Sequence, residues 1–401
     1  MDVAEPISTS QAVTRSESLA ARMARVVEIA AKSAEAVDRE GCFPRETIDA
    51  LKRARLLGIA IPVELGGEGL TTAAVADLIV QLGQACGSSA MVYGMHQIQI
   101  SSLVSHGVGS DWHREYMRRI ASEQLLMASA TSEAGIGGNL RNSICAIEVA
   151  DGHFSLTKDA TVISYGAHSD AIMATARRAP EAASSDQVMV VLPVDGNLKL
   201  ERTSVWDTLG MRGTCSDGFL LTASGEAGQI FPKPFSEIAA QSMLASSHIY
   251  WAATWFGIAA DAFARAQTFV KQAARKQPNV VPPGALRLSE AAAKLQEMKG
   301  HLIAAIRRFE AAERDDDDLS SIGFAAEINA LKIAASEKAA EVVQLAMLIT
   351  GILGYKNGTP FSVGRHLRDV TSAAVMISND RIHANTATLL LMSRFDASLG
   401  V

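Results

Sequence analysis

LLMASATSEAGIGGN, residues 125–139, is the stretch at which the sequence changes from helical to strand-like periodicity. Before it, apolar residues recur every three or four positions, as at Leu19, Met23 and Val26, which is typical of amphipathic helices. After it come short apolar runs separated by polar or glycine-containing turns, which indicates β-strands. The stretch therefore marks the boundary between a helical domain and a β-domain.

Short strand-like segments fill the chain from residue 125 to residue 235. They are LLMASATS, the two halves of SICAIEVADGHFSLTKDATVIS around the Asp151-Gly152 turn, AIMATARR, QVMVVLPV, LKLERTSV and GFLLTAS. Such a series predicts an antiparallel β-domain, either a barrel or a sandwich. Pro232 and Pro234 mark its end.

Helical periodicity returns after these prolines and continues to the end of the chain. The predicted helices are Ser236–Lys276, Leu286–Ala312, Ile322–Ile352 and, for the most part, Arg365–Leu399. Long antiparallel helices with short links predict a bundle. The predicted fold is therefore α+β and mostly α. It has an N-terminal helical domain over residues 1–124, an antiparallel β-domain over 125–235 and a C-terminal four-helix bundle over 236–401.

Composition excludes several classes of function. The chain has 401 residues, of which 48% are apolar, and a net charge of -6, so it has no overall field that attracts nucleic acid or an anionic membrane. The four cysteines form no CxxC pair, and no apolar run reaches the roughly 18 residues of a membrane span. We expect no nucleic-acid partner, no membrane insertion and no metal site, and we expect the protein to be cytoplasmic.

Five motifs occur in an order that resembles the acyl-CoA dehydrogenase family, whose fold also runs from helices to a β-domain to a four-helix bundle. They are LLGIAIPVELGGEGL (56–70), MASATSEAGIGGN (127–139), KDATVISYGAHSD (158–170), WDTLGMRGTCSDGFLL (206–221) and GILGYKNGTPFSVGRHLRD (351–369). The second motif is similar to the flavin-binding segment of the family, and the third to the strand that reaches the isoalloxazine edge. The resemblance implies a flavin-dependent oxidoreductase that binds FAD, or alternatively FMN or reduced flavin supplied by a reductase.

The same resemblance assigns flavin contacts to particular residues. Ser132 and Ser164 stand where the family places hydroxyl contacts to the flavin, and the glycines Gly137 and Gly138 would let backbone approach a ligand closely. Alternatively, these glycines only make a tight turn. Val162 replaces a tryptophan that many members hold beside the ring.

Further flavin contacts are expected near the end of the bundle. Arg275 matches an arginine that binds the dinucleotide diphosphate, although it could equally be a cation favoured at a helix C-terminus. Gly351 and Gly354 belong to a glycine-rich turn that approaches the cofactor. Leu348 replaces a glutamine that holds the adenosine across a subunit boundary. The resemblance implies a homodimer or homotetramer.

The usual catalytic base is missing. In most members a glutamate follows the Arg-Asp pair of the last helix, and the matching residue here is Ile377. Some members carry the glutamate on the first bundle helix, where the match is Ser247. Three replacements are open: Asp380, His248 and His96. Each has a structural alternative, namely an ion pair for Asp380 and a packed, hydrogen-bonded ring for each histidine.

Three hypotheses follow. The first is a dehydrogenase that oxidises an acyl thioester or related small molecule and passes electrons to an electron-transfer protein. The second is a two-component flavin monooxygenase of the same fold, which acts on a non-thioester substrate and does not need an α-proton base. The third is a non-catalytic homologue that retains the scaffold.

Overall fold

The computed structural model describes residues 17–392 and residue 394, and it confirms the α+β, mostly α, class. The N-terminal helices are α1 (Leu19–Glu40), α2 (Arg45–Arg53), α3 (Thr72–Ala85), α4 (Gly87–Gly107) and α5 (Asp111–Glu123). The strands are β1 (Met127–Ala130), β2 (Ile147–Ala150), β3 (His153–Ala160), β4 (Ala171–Arg177), β5 (Gln187–Pro193), β6 (Leu198–Ser204) and β7 (Gly218–Glu226). The C-terminal helices are α6 (Phe235–Ile238), α7 (Leu244–Lys276), α8 (Ala285–Ala312), α9 (Asp316–Leu319), α10 (Ile322–Thr350), α11 (Ile352–Tyr355), α12 (Gly364–Thr371) and α13 (Asn379–Met392).

The strands form two sheets and not one barrel. The order in one sheet is β1-β4-β5, and the order in the other is β2-β3-β7-β6. All pairs are antiparallel except β1 and β4, which are parallel with Met127 opposite Ala171. The predicted antiparallel β-domain is confirmed, and this pair is the one parallel exception among the named strands. The β2–β3 hairpin lies between the two strands in sequence, and a connection of that length lets the chain return in the same direction.

Two of the predicted bundle helices are interrupted. The segment Ala239–Met243 is π-helical, so the predicted helix from Ser236 to Lys276 contains an irregular turn near its start. The predicted last helix is broken between α12 and α13, where Ile377 has a φ of 52°. A β-branched residue rarely adopts this left-handed conformation, so the surrounding structure must hold it in place. Leu399, the expected end of this helix, lies outside the described residues.

A close helix crossing joins the N-terminal domain to the bundle. At Gly83 of α3 and Gly257 of α7 the two backbones nearly touch. A Cβ atom added to Gly257 would lie 2.5 Å from the carbonyl oxygen of Val80, and one added to Gly83 would lie 2.9 Å from that of Thr254. Only glycine allows this approach. The crossing therefore fixes where α7 stands relative to α3 and α4.

Substitution tests this crossing. We expect Gly257→Ala to lower the free energy of unfolding by about 1–3 kcal/mol, because the methyl group forces the backbones apart. Urea denaturation measures the change. Gly300→Ala is the matched control, since nothing lies within 4 Å of its added Cβ on α8. That variant should gain about 0.5–1 kcal/mol. If both variants gain stability, the close crossing is not a constraint.

Candidate functional site

A buried ion pair holds the loop that follows β1. The side chains of Glu133 and Lys158 are 4% and 0% exposed, and Oε2 lies 3.1 Å from Nζ. The Glu133 carboxylate also accepts hydrogen bonds from Ser143 Oγ at 2.7 Å and from the backbone N–H of Cys145 at 2.5 Å. Burial opposes ionisation of Glu133, but Lys158 and these donors outweigh it and lower the pKa of this carboxyl. Lys158 also donates to the carbonyl oxygen of Thr175 at 2.9 Å, which ties the loop to β4.

The two hydroxyls predicted to contact flavin lie on adjacent segments. Ser132 Oγ donates to the carbonyl oxygen of Val162 at 2.8 Å and accepts from the N–H of Val162 at 3.2 Å. Ser164 Oγ accepts from Ser216 Oγ at 2.8 Å, which leaves the Ser164 proton available. Ser132 and Ser164 are both half-buried. Thus the loop after β1 and the segment after β3 meet through backbone contacts.

The glycine loop is docked on α13. Gly137 and Gly138 have positive φ values of 59° and 72°, and their carbonyl oxygens accept hydrogen bonds from the guanidinium of Arg381. Nearby, Arg141 Nη2 donates to Asn385 Oδ1 at 2.9 Å. The glycines are therefore not only a turn, because their bare backbone receives an arginine from the last helix.

The broken last helix is held by a buried lysine. Lys332 of α10 is 0% exposed, and its Nζ donates to the carbonyl oxygens of Ala373 at 2.9 Å and Ile377 at 2.6 Å and to Asn379 Oδ1 at 2.7 Å. Asn379 also donates to Ser336 Oγ at 3.0 Å. Burial lowers the pKa of Lys332 to about 8, so the ammonium form still predominates at pH 7. This cation stabilises the left-handed turn at Ile377, the position at which the sequence resemblance predicts a glutamate.

Both ring nitrogens of His96 are occupied by backbone. Nε2 donates to the carbonyl oxygen of Leu57 at 2.8 Å, and Nδ1 accepts from the N–H of Met127 at 3.0 Å. The residue is 0% exposed, and burial lowers the pKa of His96 to about 4. The ring is neutral at pH 7 and joins α4 to the start of β1. This geometry favours the structural alternative for His96, which does not line an open cavity.

The other two predicted bases are also poorly placed. His248 is 2% exposed, its Nδ1 donates to the carbonyl oxygen of Ile328 at 3.1 Å, and burial lowers the pKa of His248 to about 4. Asp380 is exposed, and no ion pair to it occurs in the described part of the chain, including from Arg381. The structure does not bring Asp380, His248 and His96 together.

The remaining predicted cofactor residues lie at the far end of the bundle. Arg275 is exposed on the last turn of α7. Gly351 has a φ of 57° between α10 and α11, and a Cβ added to Gly354 would lie 1.9 Å from Thr350 Oγ1. Gly351 is nineteen positions beyond Lys332, roughly 28 Å along α10. This end of the bundle is therefore distant from the helix break at Ile377.

Exposed apolar side chains cluster at this same end. Leu348, Val281, Leu286, Ile352 and Tyr355 are between 56% and 81% exposed.

Within residues 17–392, no helix is long and apolar enough to cross a membrane, and no group of three His, Cys, Asp or Glu side chains could hold a metal ion. A cytoplasmic location stays a prediction.

Comparison with known proteins identifies the family. Residues 15–124 match the acyl-CoA dehydrogenase N-terminal domain, and residues 238–387 match the acyl-CoA dehydrogenase C-terminal domain. The chain belongs to the acyl-CoA dehydrogenase family. Members of this family bind flavin.

The relatives of this acyl-CoA dehydrogenase homologue include several types of enzyme. Mitochondrial isovaleryl-CoA dehydrogenase of Arabidopsis thaliana is 26% identical over 46% of this chain and 45% of its own length. L-evernosamine nitrososynthase of a Micromonospora species is 35% identical over 28% of this chain and 26% of its own. The chain spans less than half the length of these curated relatives. FMN-bound TdsC from Paenibacillus sp. A11-2 has the same fold, with a TM-score of 0.79, 18% identity and coverage of 94% and 98% of the two chains.

The sequence analysis did not identify the two buried lysines, Lys158 and Lys332, that hold the loop after β1 and the break in the last helix. Lys158 lies on the inward face of β3 with Phe154 and Leu156, and this alternation was a readable signal for a buried lysine. Lys332 likewise occupies the apolar face of α10 four residues after Ile328. A lysine on an apolar face requires a buried partner, but sequence cannot name that partner.

Removing the Lys332 ammonium tests its role at the helix break. We expect Lys332→Met to lower the free energy of unfolding by about 3 kcal/mol, because three buried acceptors lose their donor. Urea denaturation followed by circular dichroism measures it. Lys338→Met on the same helix breaks only a partly exposed ion pair with Glu297 and should cost under about 1 kcal/mol. Equal losses in the two variants would contradict the role of Lys332.

Proposed function

We propose that this acyl-CoA dehydrogenase homologue is a flavin-dependent monooxygenase that receives reduced flavin and acts on a non-thioester small molecule. The observation that carries the proposal is the residue at the usual position of the base. Ile377 stands there, with its backbone held in a left-handed turn by Lys332. An isoleucine cannot accept the α-proton that acyl thioester oxidation must remove.

The surrounding groups supply no good substitute. Ser247 Oγ is committed to the carbonyl oxygen of Met243, and the low pKa of His248 makes it a weak base. Asp380 is exposed next to Arg381, whereas a carboxylate base for this reaction needs a dry pocket. Oxygen insertion requires no such base, and this difference favours the monooxygenase over the dehydrogenase.

The described residues fit a flavin. Ser164 keeps a hydroxyl proton to donate, and Ser132 Oγ has a lone pair left after its two contacts with Val162. Gly137 and Gly138 present backbone without side chains. Reduced flavin would supply the electrons that activate O2, while these hydroxyls orient the ring and the Arg381-docked loop excludes water from one side of it.

The residues predicted to bind the phosphate end of the flavin point to a second subunit as a partner. We infer that a second subunit contributes Arg275, Gly351 and Gly354, because Gly351 lies roughly 28 Å along α10 from Lys332, whose contacts hold the turn at Ile377. The exposed apolar cluster around Ile352 and Tyr355 supports such a homodimer or homotetramer. The electron source would be a separate flavin reductase.

The dehydrogenase is the second candidate, and the resemblance to isovaleryl-CoA dehydrogenase supports it. In that case the hydride acceptor is tightly bound FAD, an electron-transfer protein reoxidises it, and a base outside the predicted positions must remove the proton.

Flavin titration distinguishes the candidates. We expect the purified protein to be nearly colourless and to bind reduced FMN or FAD at least about tenfold more tightly than the oxidised form, a difference of 1.4 kcal/mol. Anaerobic fluorescence titration measures both affinities, and stopped-flow absorbance after mixing with oxygen reports a transient flavin species. Tightly held oxidised FAD that an acyl-CoA bleaches anaerobically would establish the dehydrogenase instead.

A hydroxyl deletion locates the flavin. We expect Ser164→Ala to weaken reduced-flavin binding about three- to tenfold, because one hydrogen bond is lost. Ser155→Ala is the matched control, since Ser155 lies on the exposed face of β3. Circular dichroism checks that both variants are folded. An unchanged affinity in Ser164→Ala would move the flavin away from this segment.

A further inference from the structure

One cavity of the described residues has a volume of about 900 Å³, and its lining includes neither Ser132 nor Ser164. It is bounded by α1, the end of α3, the middle of α7 and α12, together with Thr208 and Leu209 before β7. None of the residues predicted from the sequence to contact flavin lines it. A ligand bound in this cavity would therefore be distinct from the flavin.

The lining carries excess positive charge. Six lining side chains are cationic: Lys32, Arg39, Arg212, Arg265, Arg365 and Arg368. Three are acidic, namely Glu35, Asp38 and Asp261. The whole chain has a net charge of -6, so this surplus of three positive charges is a local feature and not a general property of the surface.

Arg365 differs from the other lining cations, because no carboxylate of the described residues lies within ion-pair distance of it, although the more distant Asp369 interacts with it electrostatically. Both of its Nη atoms donate to the carbonyl oxygen of Ala85 at 3.2 Å. Neighbouring arginines differ. Arg265 Nε lies 2.7 Å from Asp261 Oδ2, and Arg368 pairs with Asp38. A guanidinium in a cleft with only one carbonyl acceptor has donor capacity left for an anion.

Two acceptors at the cavity lack a donor. His366 Nε2 donates to Asp261 Oδ2 at 2.7 Å, and its Nδ1 is buried with no hydrogen-bond partner. Burial lowers the pKa of His366, so the ring is neutral at pH 7 and Nδ1 carries a lone pair. Asp38 Oδ1 is buried and unpartnered in the same way. Each is an acceptor that a hydroxyl group could satisfy after a small side-chain rotation.

We infer that this cavity binds a hydroxylated phosphate monoester of about sugar-phosphate size, with the phosphate at Arg365 and hydroxyls towards His366 and Asp38. A phosphate monoester carries nearly two negative charges at pH 7, which suits the charge surplus, and its oxygens match the fork of a guanidinium. The few apolar lining residues, such as Ala31, Ala85 and Leu209, offer no aromatic face for a base to stack on. A small polar ester therefore fits better than a nucleotide.

Calorimetric titration of the full-length protein without flavin tests the site. The probes are ribose 5-phosphate, inorganic phosphate and ribose at low ionic strength. We expect saturable binding of ribose 5-phosphate, weaker binding of inorganic phosphate and none of ribose. Added salt should weaken the binding, because the attraction is largely electrostatic. No saturable heat with ribose 5-phosphate would overturn the inference.

A negative charge introduced at the rim of the cavity tests where the ligand binds. Ala31 and Ala24 are both exposed on α1, but only Ala31 lines the cavity. We expect Ala31→Glu to weaken ribose 5-phosphate binding about tenfold and Ala24→Glu to leave it unchanged. Arg365→Gln should weaken it about tenfold or more, since charged hydrogen bonds are lost. Equal affinities in the two glutamate variants would place the phosphate elsewhere, and this comparison decides the matter even if Arg365→Gln does not fold.

Discussion

The buried ion pair between Glu133 and Lys158 is the constraint on which the candidate site depends. Two opposite charges with 4% and 0% exposure persist only because each is paired and hydrogen-bonded. Glu133 gathers the chain around Ser143 and Cys145, while Lys158 reaches the backbone of β4. Separating such a pair leaves an uncompensated buried charge, which costs about 3–5 kcal/mol. The loop around Glu133, which includes Ser132 and the glycines, is thus held by this ion pair and its hydrogen bonds.

A second buried lysine holds the break in the last helix. Lys332 stabilises a helix break that would otherwise leave the carbonyl oxygens of Ala373 and Ile377 without donors. The two lysines act alike, because each places a buried cation where it donates to backbone carbonyl oxygens of a distant segment. The consequence at Ile377 is chemical as well as structural. The turn presents an aliphatic side chain, at the position where the family resemblance predicts a glutamate.

The helical scaffold explains why the predicted cofactor residues fall into two groups. The glycine crossing between α3 and α7 fixes the bundle against the N-terminal helices, and α10 then carries Lys332 and Gly351 roughly 28 Å apart. Ser132, Ser164 and Gly138 form one group, in the β-domain. Arg275 and Gly354 form the other, at the far end of the bundle, and this separation is the basis of the proposed second subunit.

Much of this protein is determined by the sequence itself. Periodicity predicted the helices, and short apolar or alternating runs between turn residues predicted the strand segments, because both patterns can be recognised along the chain. Ordered motifs also indicated the family and the loss of the glutamate at Ile377. Tertiary structure alone decided the parallel pairing of β1 with β4, the backbone partners that occupy both nitrogens of His96, and the docking of Arg381 on Gly137 and Gly138. The reason is that these contacts join residues between about 30 and 245 positions apart, and a buried polar group in a sequence states the need for a partner but not its identity.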